Sequence, residues 1–235
     1  MTIIGVIGGA GVAATNKLQE LIENELTQSG AYRDCHHPEM IIWQATKAPS
    51  RSLFLEGKGE SFIPEYINIA KKLKSMGATK LCMCCNTAHF AIDEISKAAD
   101  IEIINLVENC IKTAKQNKIK KVGLIASDGC LKGRVYEKSF ERIYPEAEII
   151  YPDENFQKLV TKGIYNIKNI HRFDNKASEE NPENIFKNVK KHLLEKGAEK
   201  IITGCTDIRV AYHESDNIDS LEVLKDVILS EYCLR

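Results

Sequence analysis

Lys71-Lys72-Leu73-Lys74-Ser75-Met76-Gly77-Ala78-Thr79-Lys80-Leu81-Cys82-Met83-Cys84-Cys85-Asn86-Thr87 and Lys191-His192-Leu193-Leu194-Glu195-Lys196-Gly197-Ala198-Glu199-Lys200-Ile201-Ile202-Thr203-Gly204-Cys205-Thr206-Asp207 follow one pattern. In each, a helix ends at a glycine, an alanine and a lysine lead into a short apolar run, and the run empties into a cysteine followed by an amide or hydroxyl side chain. Leu73, Gly77, Ala78, Lys80 and Cys85 fall on Leu193, Gly197, Ala198, Lys200 and Cys205, a shift of 120 positions. A second correspondence lies upstream, where Lys121-Val122-Gly123-Leu124-Ile125-Ala126-Ser127-Asp128-Gly129 repeats the opening strand and turn. There Gly5 falls on Gly123 and Gly11 on Gly129, a shift of 118. Two shifts so nearly equal argue for two copies of an α/β unit of about 100 residues each.

The opening residues 2–7 are apolar on both faces, as in a strand buried within a parallel sheet. Gly8-Gly9-Ala10-Gly11 then turns into a helix with Leu18, Leu21, Ile22 and Leu26 on one stripe. Such a turn is either a seat for an anion or only a tight connection. Residues 30–38 read as loop and 39–44 as a second strand. The polar, proline-broken segment 47–52 falls at that strand's C-terminal end, where open α/β sheets bind ligands. Arg51 is therefore a candidate carboxylate clamp, against the plainer reading of an exposed loop arginine. The pattern continues with a helix over 63–76, a third strand over 80–84, a helix over 88–99 and a fourth strand over 101–106.

A closing helix carries Leu221, Leu224, Ile228 and Tyr232 on one face and is expected to pack back on the first unit. The architecture expected is α/β: two similar Rossmann-like units with mostly parallel sheets, related by a pseudo-twofold axis, with the active site in the cleft between them. Residues 1–104 with 215–235 form the first unit, and residues 105–214 the second.

Bulk composition narrows the function by exclusion. The 235 residues suffice to bury a core, and 43% hydrophobic and 28% charged residues are ordinary for a globular chain. A net charge of -1 offers no field for nucleic acid or an anionic membrane, so neither is expected as a partner. No apolar run approaches the roughly 18 residues of a membrane helix. The N-terminus shows neither a basic leader nor a long apolar segment, which gives the expectation of a cytoplasmic protein. Eight cysteines without framework spacing read as free thiols.

Two related units facing one cleft would set Cys85 and Cys205 on either side of a bound molecule. A thiol at such a turn is a proton-transfer group, and a thiolate with a thiol can take a proton from one face of a carbon and return one to the other. The product is the mirror image, which points to racemisation at the α-carbon of an amino acid. The Asn86, Thr87 and Thr206 groups and the turn N–H groups from Ser127 to Gly129 are candidates for holding the substrate carboxylate as negative charge spreads into it. Cys82 and Cys84 alternate with Met83 along the strand, so core packing is their expected role. A zinc site using Cys82, Cys84, Cys85 and His89 lacks both the usual spacing and a second ligand pair. His89 is expected to hydrogen-bond locally. No pattern calls for a pyridoxal cofactor or a metal.

These residues resemble the cofactor-independent aspartate/glutamate racemases, over nearly the whole chain. Cys85-Asn86-Thr87-Ala88-His89 is similar to the family's first catalytic motif, Gly204-Cys205-Thr206 to its second, and Ile4-Gly5-Val6-Ile7-Gly8-Gly9 with Ala14-Thr15 to its N-terminal motif. Pro49-Ser50-Arg51 resembles the proline-aspartate-arginine segment of aspartate racemases, and Ile164-Tyr165-Asn166-Ile167-Lys168 the segment supplying a substrate-binding lysine. The resemblance implies paired catalytic Cys85 and Cys205, substrate carboxylates bound by Arg51 and Lys168, Ser127 in the pocket wall, an acidic amino acid as substrate with aspartate foremost, and a homodimer. The sequence departs from the pattern at Ala10, Val12 and Cys130, where methionine, proline and threonine are usual. It departs again at Asp207-Ile208-Arg209, where glutamate, an apolar residue and proline are usual. Alternatives with the same fold are a glutamate, broad-range or hydantoin racemase, a maleate isomerase or a one-thiol decarboxylase. A catalytically impaired small-molecule binding protein is the alternative from another class.

Overall fold

The computed structural model describes residues 2–233. The first part of the chain forms β1 (Ile3–Gly8), α1 (Val12–Gln28), β2 (Glu39–Gln44), α2 (Arg51–Leu55), α3 (Ile63–Ser75), β3 (Lys80–Met83), α4 (Ile92–Ala99) and α5 (Leu106–Gln116). The second forms β4 (Lys121–Ile125), α6 (Asp128–Lys132), α7 (Val135–Ile143), β5 (Glu148–Ile150), α8 (Glu154–Ile167), α9 (Pro182–Glu195), β6 (Lys200–Thr203), β7 (Ile218–Asp219) and α10 (Ser220–Cys233). The strands make two sheets, in the orders β2-β1-β3 and β5-β4-β6-β7, and every pairing is parallel. The fold is therefore α/β with two related units, each a central strand flanked by the strand that follows it and by the strand that carries a cysteine loop.

Packing repeats along with topology. A methyl group added at Gly5 would come within 2.4 Å of Leu81 Cδ2 and 3.0 Å of Ala78 Cβ, and one at Gly123 within 2.5 Å of Ile201 Cδ1 and 3.1 Å of Ala198 Cβ. These are the pairs that the sequence repeat aligns. Each central strand carries a glycine because the helix and turn before its neighbour press directly on it.

Strand alternation divides the apolar side chains among three cores. Ile7, Leu81 and Met83 face α3 and α4, while Ile125 and Ile201 face α8 and α9. Ile4, Val6, Cys82 and Cys84 of the first sheet share a central core with Val122, Leu124 and Ile202 of the second. Helices α1, α5, α7 and α10 fill that central layer: Leu18, Ile22, Ile111, Phe140, Leu221, Leu224 and Ile228 all lie in it. Helix α10 packs on α1 and α5, and α5 packs on α7.

Three expectations need adjustment. The segment 101–106 is not a strand: Ile103 makes a single parallel bridge to Leu81, and Asn105 then caps α5 by accepting the Glu108 N–H at 3.1 Å. An apolar run interrupted by a capping asparagine turns helical there because the cap satisfies the helix's first free N–H groups. The helix expected over 88–99 starts as a 3-10 turn, Thr87–Ala91, before α4. Residues 218–219, expected with the first unit, pair with β6 in the second sheet. Leu234 and Arg235, placed by expectation in the closing helix, lie outside the described residues. Among the described residues no helix is long and apolar enough to cross a membrane.

Candidate active site

Parallel strands bring their C-terminal ends to one edge, and here the edges of the two sheets meet. β3 ends at Met83; the next residue, Cys84, bonds its N–H to the Ile7 carbonyl, and Cys85 follows. β6 ends at Thr203; the next residue, Gly204, bonds its N–H to the Ile125 carbonyl, and Cys205 follows. Both thiols line a single cavity of about 190 Å³. Its walls include Thr87 beside Cys85, Ser127 and Asp128 at the start of α6, Arg51 and Ser52 of α2, and Asp207 beyond Cys205. Thr161, Ile164 and Tyr165 of α8, with Lys168 just after it, complete the wall as one helical stripe.

The Cys85 loop is held from behind. His89 is buried, its Nδ1 lies 2.8 Å from the Cys85 carbonyl, and its Nε2 accepts the Leu106 N–H at 3.1 Å. Because Nε2 receives a proton donor, the ring proton sits on Nδ1 and is donated to Cys85. Burial lowers the His89 pKa to about 4, so the ring is neutral. Both nitrogens are engaged in structure, and no described group of three or more His, Cys, Asp or Glu side chains is placed to hold a metal ion. At the matching place in the second loop, Arg209 reaches Asp219 at 3.1 Å and Glu222 at 3.3 Å, tying that loop to β7 and α10.

Two of the expected substrate-binding side chains are turned away from the cavity. Asn86 is 2% exposed; its amide nitrogen donates to Ser220 Oγ at 3.0 Å and its oxygen accepts the Tyr136 hydroxyl at 2.7 Å. Thr206 donates to the Cys84 carbonyl at 3.0 Å, stitching the second cysteine loop to the first. A residue just past a strand end can face either the ligand or the neighbouring layer, and the sequence does not distinguish the two. Thr87, Ser127, Arg51 and Lys168 do line the cavity, together with both cysteines. The Ser127 hydroxyl lies 3.0 Å from Thr87 Oγ1 and accepts from Ser52 at 3.2 Å, so three hydroxyls from three elements meet in the wall.

The two thiols have unlike neighbours. The half-buried Arg51 guanidinium stands beside the Cys85 sulfur, gives Nη1–H to the Pro49 carbonyl at 3.1 Å and lies 5.9 Å from the Tyr66 ring centre. Its Nε is buried without a partner. Burial works against its charge, but Cys85, Tyr66 and Asp207 outweigh burial and raise its pKa above the ordinary value. At Cys205, burial and the Asp207 carboxylate push the pKa up to about 12, with the Lys168 ammonium acting the other way. Asp207, in turn, is buried and ion-paired with Lys168. Cys82, Cys84 and Cys130 are buried, and burial raises the pKa of each thiol.

Sequence reasoning missed Glu56 and Thr161 as wall residues. Thr161, Ile164, Tyr165 and Lys168 carry a usable signal in their helical spacing of three, one and three. Of the departures from the family pattern, Ala10 and Asp207 line the cavity, Val12 is 45% exposed, and Cys130 is buried beneath Ser127, to whose oxygen its N–H donates at 3.3 Å.

The sequence matches the family model described as Asp/Glu/Hydantoin racemase over residues 4–225. It is 23% identical over 233 residues to the broad specificity amino-acid racemase RacX of Bacillus subtilis, covering 99% of this chain and 94% of that protein. Among solved structures it resembles the Picrophilus torridus aspartate racemase, with a TM-score of 0.80, 23% identity and coverage of 98% and 94% of the two chains. It also resembles the glutamate racemase isoform RacE1 of Bacillus anthracis, with a TM-score of 0.65, 18% identity and coverage of 99% and 83%. With a family match that spans nearly the whole sequence, the chain belongs to the Asp/Glu/Hydantoin racemase family.

Proposed function

We propose that the protein is an amino-acid racemase that needs no pyridoxal cofactor, with Cys85 and Cys205 as its acid–base pair. The observation that carries this reading is the arrival of both thiols, from equivalent loops of the two sheets, in one small cavity. A thiolate on one side removes the α-proton; the thiol on the other side delivers its own proton to the opposite face of the carbanion. One proton is taken and one given, and the two cysteines exchange protonation states. Cys205, which is a thiol at neutral pH, fits the donor in the resting enzyme. Arg51 is placed to balance negative charge at Cys85 and to hold the α-carboxylate, and the hydroxyls of Ser52, Thr87 and Ser127 offer donors where the carbanion's charge spreads.

Aspartate, to which the sequence motifs point, would need Lys168 for its second carboxylate. That ammonium already faces Asp207, so the proposal extends to α-amino acids as a class. The motif resemblance further supports a homodimer, which analytical sedimentation would weigh. The test of the activity is incubation of single enantiomers in D2O. Deuterium entering the α-position together with loss of optical rotation is the expected result; the absence of exchange with every amino acid tried would remove the reading.

A further inference from the structure

We infer that Asp128 binds the ammonium of the substrate, so that the cavity takes free α-amino acids in preference to their hydroxy-acid or ring-closed analogues. The inference rests on the racemase reading for its choice of ligand, but its test reads binding and does not need turnover. The cavity wall carries two cationic side chains, Arg51 and Lys168, and three carboxylates, Glu56, Asp128 and Asp207. Two of the carboxylates are answered within the protein, Glu56 by Lys58 at 2.9 Å and Asp207 by Lys168. Among the described residues, neither Arg51 nor Asp128 has an ion-pair partner within 4.0 Å. That leaves one cation and one anion facing a single cavity, and an α-amino acid carries one charge of each sign on the same carbon. Lys58 is within electrostatic reach of Asp128, but its ammonium stands on Glu56 and its side chain is 64% exposed, where water screens it.

Asp128 is held so as to receive a further donor. Gln157 donates to its Oδ1 at 2.7 Å and Thr161 to its Oδ2 at 2.8 Å, both from α8. The Gln157 amide also donates to the Ala126 carbonyl at 3.1 Å, which ties the carboxylate's support to the residue just after β4. An ionised carboxylate has acceptor sites beyond the two that these donors use, and neither donor carries charge. The negative charge is thus oriented without being neutralised, and an ammonium completes it with a charge-assisted hydrogen bond. Ser127, the preceding residue, shares its hydroxyl with Thr87 and Ser52 in the same wall. Adjacent residues therefore offer donors to the α-carboxylate and an acceptor to the α-ammonium beside it. A hydroxyl, or the uncharged nitrogen of a hydantoin ring, brings no positive charge to Asp128.

The experiment measures, by calorimetric titration, the binding of L-alanine against L-lactate and of L-aspartate against L-malate, for the wild type and for Asp128→Asn. The variant keeps the side chain's shape and can still bond Gln157 through its oxygen and Thr161 through its amide nitrogen. In the more tightly bound pair, the wild type is expected to bind the amino acid at least about tenfold more tightly than the hydroxy acid, and Asp128→Asn to lower that ratio by about tenfold or more. A purely structural role would weaken both members of a pair alike and leave the ratio where it was. A hydroxy acid bound as tightly as its amino acid by the wild type, or a ratio unmoved in the variant, overturns the inference. Absence of α-deuterium exchange with every amino acid removes the racemase reading instead, and the binding ratio still decides the role of Asp128. Should Asp128→Asn not fold, Asp128→Ser takes its place, and if neither folds the wild-type ratio decides.

Discussion

His89 donates its Nδ1 proton to the carbonyl of Cys85, four residues earlier, at 2.8 Å, and so fixes the backbone of a cavity thiol from the buried side. Burial disfavours the charged ring, and Nε2 can accept the Leu106 N–H only while the ring is neutral, so His89 sets a pH dependence of stability. The folded pKa is near 4 and the unfolded one near the ordinary 6.5, so between these values the unfolded chain binds more protons. Stability is therefore lost as pH falls through that window, by on the order of 2 kcal/mol between pH 7 and pH 5. Urea unfolding at the two pH values should show this loss for the wild type and a smaller one for His89→Gln. An equal loss in both would mean that other groups govern the dependence.

Replacing either cavity thiol tests the two-base scheme. Cys85→Ser and Cys205→Ser should each slow interconversion of enantiomers by roughly a hundred- to ten-thousandfold, the range for removing a positioned acid or base. Circular dichroism would verify that each variant is folded. Near-normal turnover in either one would replace two-base chemistry with a single-thiol reaction.

Tyr136 and Asn86 form a buried tie between α7 and the first cysteine loop. Tyr136→Phe leaves the Asn86 oxygen without that donor, which costs about 1–3 kcal/mol for a buried group. The midpoint of denaturant unfolding reads this directly, and an unchanged midpoint would show that the oxygen finds another partner.

Gly11→Ala should destabilise the fold by about 1–3 kcal/mol, from its positive φ and from the collision with Asp207. The two causes separate in a double-mutant cycle. In an Asp207→Ala background the collision is gone and only the backbone strain remains, so Gly11→Ala should cost less there. Equal costs in both backgrounds would assign the whole effect to φ.

The sequence revealed the duplication because the same packing problem is solved twice with the same residue types. Gly5 and Gly123 recur because leucine or isoleucine and alanine crowd each central strand, and a contact of that kind leaves little choice. Cys85, Cys205, Thr87 and Ser127 were legible for a related reason: strand ends in parallel sheets must open at a common edge. Asn86 and Thr206 were not, since whether a side chain beyond a strand faces the cavity or the next layer depends on partners as distant as Ser220 and Cys84. The engagement of Lys168 was likewise hidden, because its partner lies 39 positions away on another element. The segment 101–106 failed as a strand on a local competition, between apolar character that suits pairing and an asparagine that caps a helix.

The unlike surroundings of Cys85 and Cys205 have a consequence for steady-state kinetics. Mirror-image amino acids have equal free energies in water, so no arrangement of charges around the thiols can tilt the final mixture. For a racemase with a guanidinium at one thiol and a carboxylate near the other, the Haldane relation forces kcat/KM to be the same in both directions. The asymmetry can then appear only as a matched difference in the separate constants, with the direction of higher kcat carrying the proportionally higher KM.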